Sequence, residues 1–333
     1  MLASALSSPT TEVVGVSIED RELRAHFSSL YPQLAMFAGA EELYEKANPE
    51  AVVTCADNRR ATEVAMYAMK HGLHVMKEKP FAADLTSARA MANEAERQGT
   101  RLMVNWKTSW YPALHCAKRL VDEGRIGRVI GVYHRDGHGG PPPGYANDGP
   151  VLRVGWGWLV DREANGGGAA VDFCCYGAAI SYWLMGLPNT VQACGGNYAH
   201  SGLDVEDCGT MIFGYPRGHC VCEGTWAQPG IPLRLPTTIY GESGALALTG
   251  PSEVLVSLGV RGQLASTLSE PVVPDALPRH FRSGPDYFTY SLLHDEPFLG
   301  LASLEVSLAA QEMVEAGMRA MATGARVELP LVV

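Results

Sequence analysis

The chain has 333 residues, 47% of them hydrophobic and 19% charged, which is enough apolar material for two packed domains rather than one. The formal net charge is −10 and the pI about 5.5. That balance argues against a nucleic-acid backbone or an anionic membrane surface as partner. The cysteines (Cys55, Cys116, Cys174, Cys175, Cys194, Cys208, Cys220 and Cys222) form no C-x-x-C pair and no zinc spacing. Most lie in apolar runs, as buried thiols of a reducing compartment do. Residues 1–9 lack a basic n-region, and the apolar stretch 164–187 is Gly-rich and carries Asp172. Neither reads as a signal peptide or a membrane span, so a cytoplasmic protein is expected.

Residues 12–17 are a short β-rich run that ends in Ile18-Glu19-Asp20-Arg21. Helical patterns follow over 21–30 and 38–47. Residues 51–55 are an unbroken apolar run typical of a central parallel strand. Ala56-Asp57-Asn58 ends it, and 61–71 predicts a helix stopped by Gly72. Then comes His74-Val75-Met76-Lys77-Glu78-Lys79-Pro80. It begins as a buried strand and ends in an acid, an amine and a proline, which has no N–H to continue a ladder. Residues 85–98 predict a helix, and 101–104 a strand that closes on Asn105-Trp106-Lys107.

Strands alternating with helices predict a doubly wound parallel sheet, and ligands bind such sheets at the carboxyl ends of the strands. Ser17/Glu19, Ala56/Asn58, Glu78/Lys79 and Asn105/Lys107 are expected to line that crevice. A lysine partly desolvated there suits proton transfer; a surface Lys–Glu pair beside a turn is the plainer alternative. A dinucleotide fold opens with a strand and a G-x-G-x-x-G turn that holds the pyrophosphate. No such motif occurs in the chain. Either the first strand and its loop lie outside this reading frame or the cofactor site is degenerate.

In the second half, 110–123 predicts a helix, 128–133 a strand, and 134–150 a Gly/Pro-rich excursion with little regular structure. The excursion carries His138, and Trp156 and Trp158 follow it. That suits a polar, ring-shaped ligand such as a sugar, and an ordered surface loop is an equal alternative. Asn165-Gly166-Gly167-Gly168 then lets the backbone approach a neighbour closely, and a helix runs on to Leu184. Asp172 and Tyr176 share one face of it. In so apolar a helix they should face a partner or a cleft, or else close a local hydrogen-bond network. Several short β-rich runs from 190 to about 260 predict an antiparallel sheet. His134 and His138 have no matching Cys/His set, so no metal is expected. Residues 265–285 read as irregular, 301–321 as a long closing helix and 327–333 as a short tail.

Val75-Met76-Lys77-Glu78-Lys79-Pro80, Asn165-Gly166-Gly167-Gly168 and the Asp172-x-x-x-Tyr176 helix together resemble the Gfo/Idh/MocA family (glucose–fructose oxidoreductase, inositol dehydrogenase and relatives). The resemblance runs from about residue 12 to the C-terminus. It implies a Rossmann domain, placed at 1–108, and a substrate-binding α/β domain with a large open, mostly antiparallel sheet, placed at 109–333. That sheet is often used for oligomerisation, so a homo-oligomer, dimer or tetramer, is expected. It also implies NAD(P)-dependent hydride transfer at a sugar or polyol carbon. Lys79 resembles the lysine that hydrogen-bonds the reacting hydroxyl, Glu78 lies beside the nicotinamide, and Asp172 precedes the catalytic position, where Tyr176 stands. With the crevice residues, the expected cofactor set is Glu19, Ala56, Asn58, Glu78, Lys79 and Asn105. Lys107, His138 and Trp158 complete a substrate set.

The chain departs from the family pattern in several places. Ile18 stands where the ribose-binding acid is common, with Glu19 one place later, which favours NAD over NADP weakly. The common histidine after the Val52 strand is Ala61. Three functions follow in order: a sugar or polyol dehydrogenase; a redox-assisted elimination that keeps its NAD bound; and a non-catalytic sugar- or partner-binding member.

Overall fold

The computed structural model describes residues 1–228, 230, 237–259, 262 and 270–332. Residues 265–269 of the expected irregular segment, Val260 and Val333 lie outside them.

The first part alternates as expected: α1 (Leu2–Ser7), β1 (Val16–Ser17), α2 (Arg21–Leu30), β2 (Met36–Phe37), α3 (Ala40–Ala47), β3 (Ala51–Thr54), α4 (Asn58–Lys70), β4 (His74–Glu78), α5 (Leu85–Gln98) and β5 (Leu102–Asn105). All its strand pairs are parallel, but they form two sheets, β1-β2 and β3-β4-β5. Helices α2, α4 and α5 each start on an aspartate whose carboxylate accepts a first-turn N–H: Asp20 from Leu23, Asp57 from Arg60 and Asp84 from Ser87. Such caps are worth ~1 kcal/mol each. They fix where the chain leaves each strand, and so where the carboxyl edge lies. Strand β4 is buried on both faces. Val75 enters the main core with Met69, Ala88 and Val104, whereas Met76 joins a second cluster with Met103, Tyr287 and Phe288.

The second part contains α6 (Pro112–Asp122), β6 (Val129–Gly137), α7 (Pro150–Gly157), α8 (Arg162–Asn165), α9 (Ala169–Met185), β7 (Thr190–Gly196), β8 (Cys208–Tyr215), β9 (Gly218–Thr225), β10 (Thr237–Gly241), β11 (Gly244–Gly250), β12 (Glu253–Leu258), β13 (Glu270–Val272), α10 (Gly284–Leu293), α11 (Leu304–Thr323) and β14 (Val327–Glu328). Nine strands form one sheet in the order β13-β12-β11-β10-β6-β9-β8-β7-β14. Only β6 and β9 pair in parallel; the other pairs are antiparallel. Helices α9 and α11 pack together and against this sheet.

Two expectations need correction. Strand β6 runs on through His134 to Gly137 instead of ending at 133, because β9 offers it a parallel partner as far as Thr225. The segment expected to be irregular holds β13, a turn of 3₁₀ helix at Arg279–Phe281 and the start of α10. Strand β13 pairs at the sheet edge, where Pro271 needs no second partner. Helix α10 crosses back to bury Tyr287 and Phe288 on the Met76 face of β4. Among the described residues, no helix is long and apolar enough to cross a membrane, and no group of His, Cys, Asp or Glu could hold a metal ion.

Candidate active site

The carboxyl edge of β4 meets the first turn of α9. Lys79 Nζ donates to the carbonyl oxygen of Asp172 at 2.9 Å and to its Oδ1 in a buried ion pair. The other carboxylate oxygen of Asp172 accepts Trp226 Nε1–H at 3.0 Å. Burial alone would raise the Asp172 carboxyl, but the Lys79 ammonium and these donors hold it below its ordinary value. Burial likewise works against the Lys79 charge, and the Asp172 carboxylate outweighs it, holding the amine above its ordinary value. Lys79 is therefore a fixed cation aimed by a fixed anion.

Tyr176 lies one helical turn beyond Asp172. Lys79 Nζ stands 5.0 Å from its ring centroid, Lys107 Nζ stands 5.8 Å away, and Trp106 packs edge-on at 5.9 Å. Burial pushes the phenol up against the opposing pull of Lys79. Burial outweighs that pull, so Tyr176 is a neutral hydroxyl near neutral pH.

The glycines at the entry to α9 are required by close approach. A Cβ on Gly166, which has φ +90°, would sit 2.2 Å from the Ala83 carbonyl oxygen, and one on Gly168 would sit 2.0 Å from the Glu206 carbonyl oxygen. Glu206 closes the helix start: its Oε1 accepts the N–H of Gly168 at 2.8 Å and of Ala170 at 3.2 Å. A carboxylate suits a helix N-terminus, although burial raises its pKa. Asn165 ties this turn to α4, accepting Asn58 Nδ2 on its Oδ1 at 2.8 Å. The amide of Asn58, an expected cofactor residue, is thus committed within the protein.

The remaining expected residues fall as follows. Glu78 Oε1 accepts Asn105 Nδ2 at 2.7 Å, and Asn105 Oδ1 accepts Trp110 Nε1 at 2.9 Å. Ala56 is exposed just past β3. Glu19 lies past β1 and accepts Arg60 Nε at 2.7 Å. His138 stands 5.2 Å from both Phe173 and Trp156 and packs parallel to Trp226. Its Nδ1 lies 3.0 Å from Gly140 N. A backbone N–H can only donate, so Nδ1 accepts and the neutral ring carries its proton on Nε2. Burial keeps this histidine below its ordinary pKa. Trp156, rather than the expected Trp158, packs against it. Trp226 was not anticipated. It directly follows β9, 54 residues from Asp172 in sequence, and a tryptophan just past a strand carries no local sign of its partner.

Glu78, Lys79 and Asn105 gather a carboxylate, an ammonium and an amide at one end of the crevice, groups whose chemistry suits a nicotinamide ring, with Asn105 already bonded to Glu78 and Trp110. Helices α2 and α4 begin along the same edge, but Asp20 and Asp57 take the N–H groups of Leu23 and Arg60 there. The ring end is the part whose residues fit the cofactor.

Two family models match the chain: an oxidoreductase family with an NAD-binding Rossmann fold over residues 2–106, and a GFO/IDH/MocA C-terminal domain over residues 114–247. The chain belongs to the Gfo/Idh/MocA family. It is 26% identical to a 2,7-anhydro-N-acetylneuraminate hydratase of Mediterraneibacter gnavus over 176 residues, 52% of this chain and 43% of the hydratase. The aligned part thus spans under half the length of that relative. It is 23% identical to a D-glucoside 3-dehydrogenase of Escherichia coli over 320 residues, 90% of this chain and 85% of the relative. Among solved structures, a levoglucosan dehydrogenase in complex with NADH and levoglucosan superposes with a TM-score of 0.78 and 17% identity, covering 98% of this chain and 92% of that one. The likeness to that structure shows a shared fold across both parts.

Proposed function

We propose that this chain is an NAD(P)-dependent oxidoreductase that moves a hydride between a nicotinamide and a secondary alcohol of a sugar or polyol. The observation that carries the reading is the buried Lys79–Asp172 pair at the carboxyl edge of β4, with Tyr176 beneath the ammonium. Hydride acceptance or donation is the chemistry a bound nicotinamide supplies, and Glu78, Lys79 and Asn105 would hold its ring. Glu19 favours a ribose without a 2′-phosphate, and so NAD over NADP; Ala56 and Asn58 would lie along the same edge.

Lys79 holds the reacting oxygen. In reduction its ammonium hands a proton to the alkoxide that forms and is reprotonated from solvent; in oxidation the ammonium stabilises the alkoxide left when the hydroxyl proton passes to solvent. Asp172 keeps the amine aimed and charged; because oxidation releases a proton overall, reduction is favoured at lower pH and oxidation at higher pH. Tyr176 offers a neutral hydroxyl beside it. Lys107, His138 and Trp158 form the substrate side, His138 through its Nε2–H donor. The glucoside and levoglucosan dehydrogenases support a sugar substrate. The hydratase supports a second reading, in which transient oxidation makes an adjacent C–H acidic and a C–O bond is eliminated with no net redox change.

Exposed Tyr133, Ile212 and Tyr240 on the nine-stranded sheet suit association of copies of this chain. A fluorescence titration with NADH and NADPH, followed by a sugar and polyol screen, tests the function. Saturable binding and turnover of at least one sugar or polyol are expected. Absence of both binding and turnover would overturn it.

A further inference from the structure

Lys77 is 1% exposed, on the strand that delivers Lys79. It lies in the middle of the parallel sheet, opposite Thr54 of β3 and Val104 of β5. Among the described residues, no carboxylate lies within salt-bridge distance of it. Its amine makes two hydrogen bonds instead, to the carbonyl oxygen of Glu78 at 3.2 Å and to that of Pro80 at 3.0 Å. These two carbonyls flank Lys79 on either side. Burial pulls the Lys77 amine down to about 7, so the charge is held there against a cost that a leucine or methionine would not bear.

The far side of the same turn is pinned separately. Gln311 Oε1 accepts Ala82 N–H at 3.0 Å, and Glu315 Oε2 accepts Leu85 N–H at 2.6 Å, both from α11. Proline ends the ladder at residue 80, so past Glu78 no strand partner holds the backbone. Lys77 does that holding from inside.

We propose that Lys77 is a positioning residue: its buried amine clamps the carbonyls of Glu78 and Pro80 and thereby sets Lys79 against Asp172. The proposal rests on the reading of Lys79 as the group that meets the reacting oxygen. A methionine at 77 matches the lysine in length and apolar body but donates nothing. A glutamine keeps a donor amide on a shorter arm.

The test compares the full-length wild type, Lys77→Met and Lys77→Gln. Each is assayed with NAD⁺ and two probes, myo-inositol and methyl glucoside, and by amide hydrogen exchange of peptides covering residues 78–84. Lys77→Met should fold with an unfolding midpoint no lower than wild type, because it removes a buried amine. Its kcat should fall about tenfold with KM nearly unchanged, as a small misplacement of a reacting group does. Exchange in residues 78–84 should quicken by a similar factor while the rest of β4 keeps its protection. Lys77→Gln should recover part of both losses. Wild-type kcat and unchanged exchange in Lys77→Met would overturn the proposal, as would an equal quickening across the whole sheet, which marks a general packing defect. If the wild type turns over neither probe, the dehydrogenase reading fails for them, and exchange in the two variants still decides whether Lys77 clamps this turn. If Lys77→Met does not fold, Lys77→Gln carries the same comparison.

Discussion

Replacing Lys79 with methionine should cost far more stability than a surface charge change. The side chains of Lys79 and Asp172 are only 16% and 9% exposed, so solvent screens the pair little. Exposed pairs are worth ~0–1 kcal/mol, whereas breaking a buried pair costs ~3–5 kcal/mol because the partner charge is stranded. Asp172 would keep its bond from Trp226 Nε1, which places the expected loss near the lower end, ~3 kcal/mol.

The loss should depend on pH in a set direction. In the wild type the Asp172 carboxyl is held below its ordinary value, so its contribution is present above that value and is lost as pH falls. In Lys79→Met the stranded carboxyl titrates above the unfolded value, so its burden is relieved as pH falls. The gap between the two proteins should therefore be widest near neutrality and narrow towards about pH 4. Urea unfolding at about pH 8 and about pH 5 measures it, and Lys79→Met/Asp172→Asn should regain much of the loss. A loss under ~1 kcal/mol, equal at both pH values, would refute the picture of a desolvated pair.

Trp226→Phe removes the second donor to Asp172 and should cost ~1.5–3 kcal/mol, the range for a hydrogen bond to a charged group; urea unfolding reads it, and a neutral result would mean that solvent replaces the indole. Asn165→Ala removes one of the two acceptors of the buried Asn58 amide and the donor to the Leu159 and Gly167 carbonyls, and should cost ~1–3 kcal/mol, with faster proteolysis at the 159–168 turn as a second readout. Gly168→Ala places a methyl 2.0 Å from a backbone oxygen, so its cost should reach or exceed the upper end of the ~1–3 kcal/mol usual for overpacking, seen as loss of soluble protein. Because burial holds Lys77 to about 7 against the pull of Glu78, Cys55 and Asp57, the unfolded chain binds the extra proton above that pH. Wild-type stability should therefore rise from about pH 7 to about pH 10 through this group, and the rise should shrink in Lys77→Met.

Much of the site was legible because it obeys two periodicities. The carboxyl-edge rule for parallel strands put Glu78 and Lys79 in a crevice, and the four-residue spacing of Asp172 and Tyr176 put both on the α9 face that meets it. Lys77 was passed over because a lysine in a short strand invites an outward reading, whereas β4 is covered on both sides. Trp226 escaped because its partner lies on another element, far away in the chain. Helix α10 hid behind a stretch that reads as irregular, although Ser283-Gly284-Pro285 carries a helix start: Ser283 caps Asp286 N–H and Pro285 sits in the first turn. The two-sheet arrangement of β1-β2 and β3-β4-β5 depends on which strands pair, and alternation along the chain does not specify that.

The central claim is hydride transfer to a nicotinamide with Lys79 at the reacting oxygen. The most direct measurement uses a substrate sugar deuterated at its carbinol carbon, with mass analysis of the cofactor and the sugar after turnover by wild type and by Lys79→Met. The account predicts deuterium in the reduced nicotinamide with wild type and loss of that transfer in the variant. Deuterium released to solvent, or transfer undiminished in Lys79→Met, would contradict it.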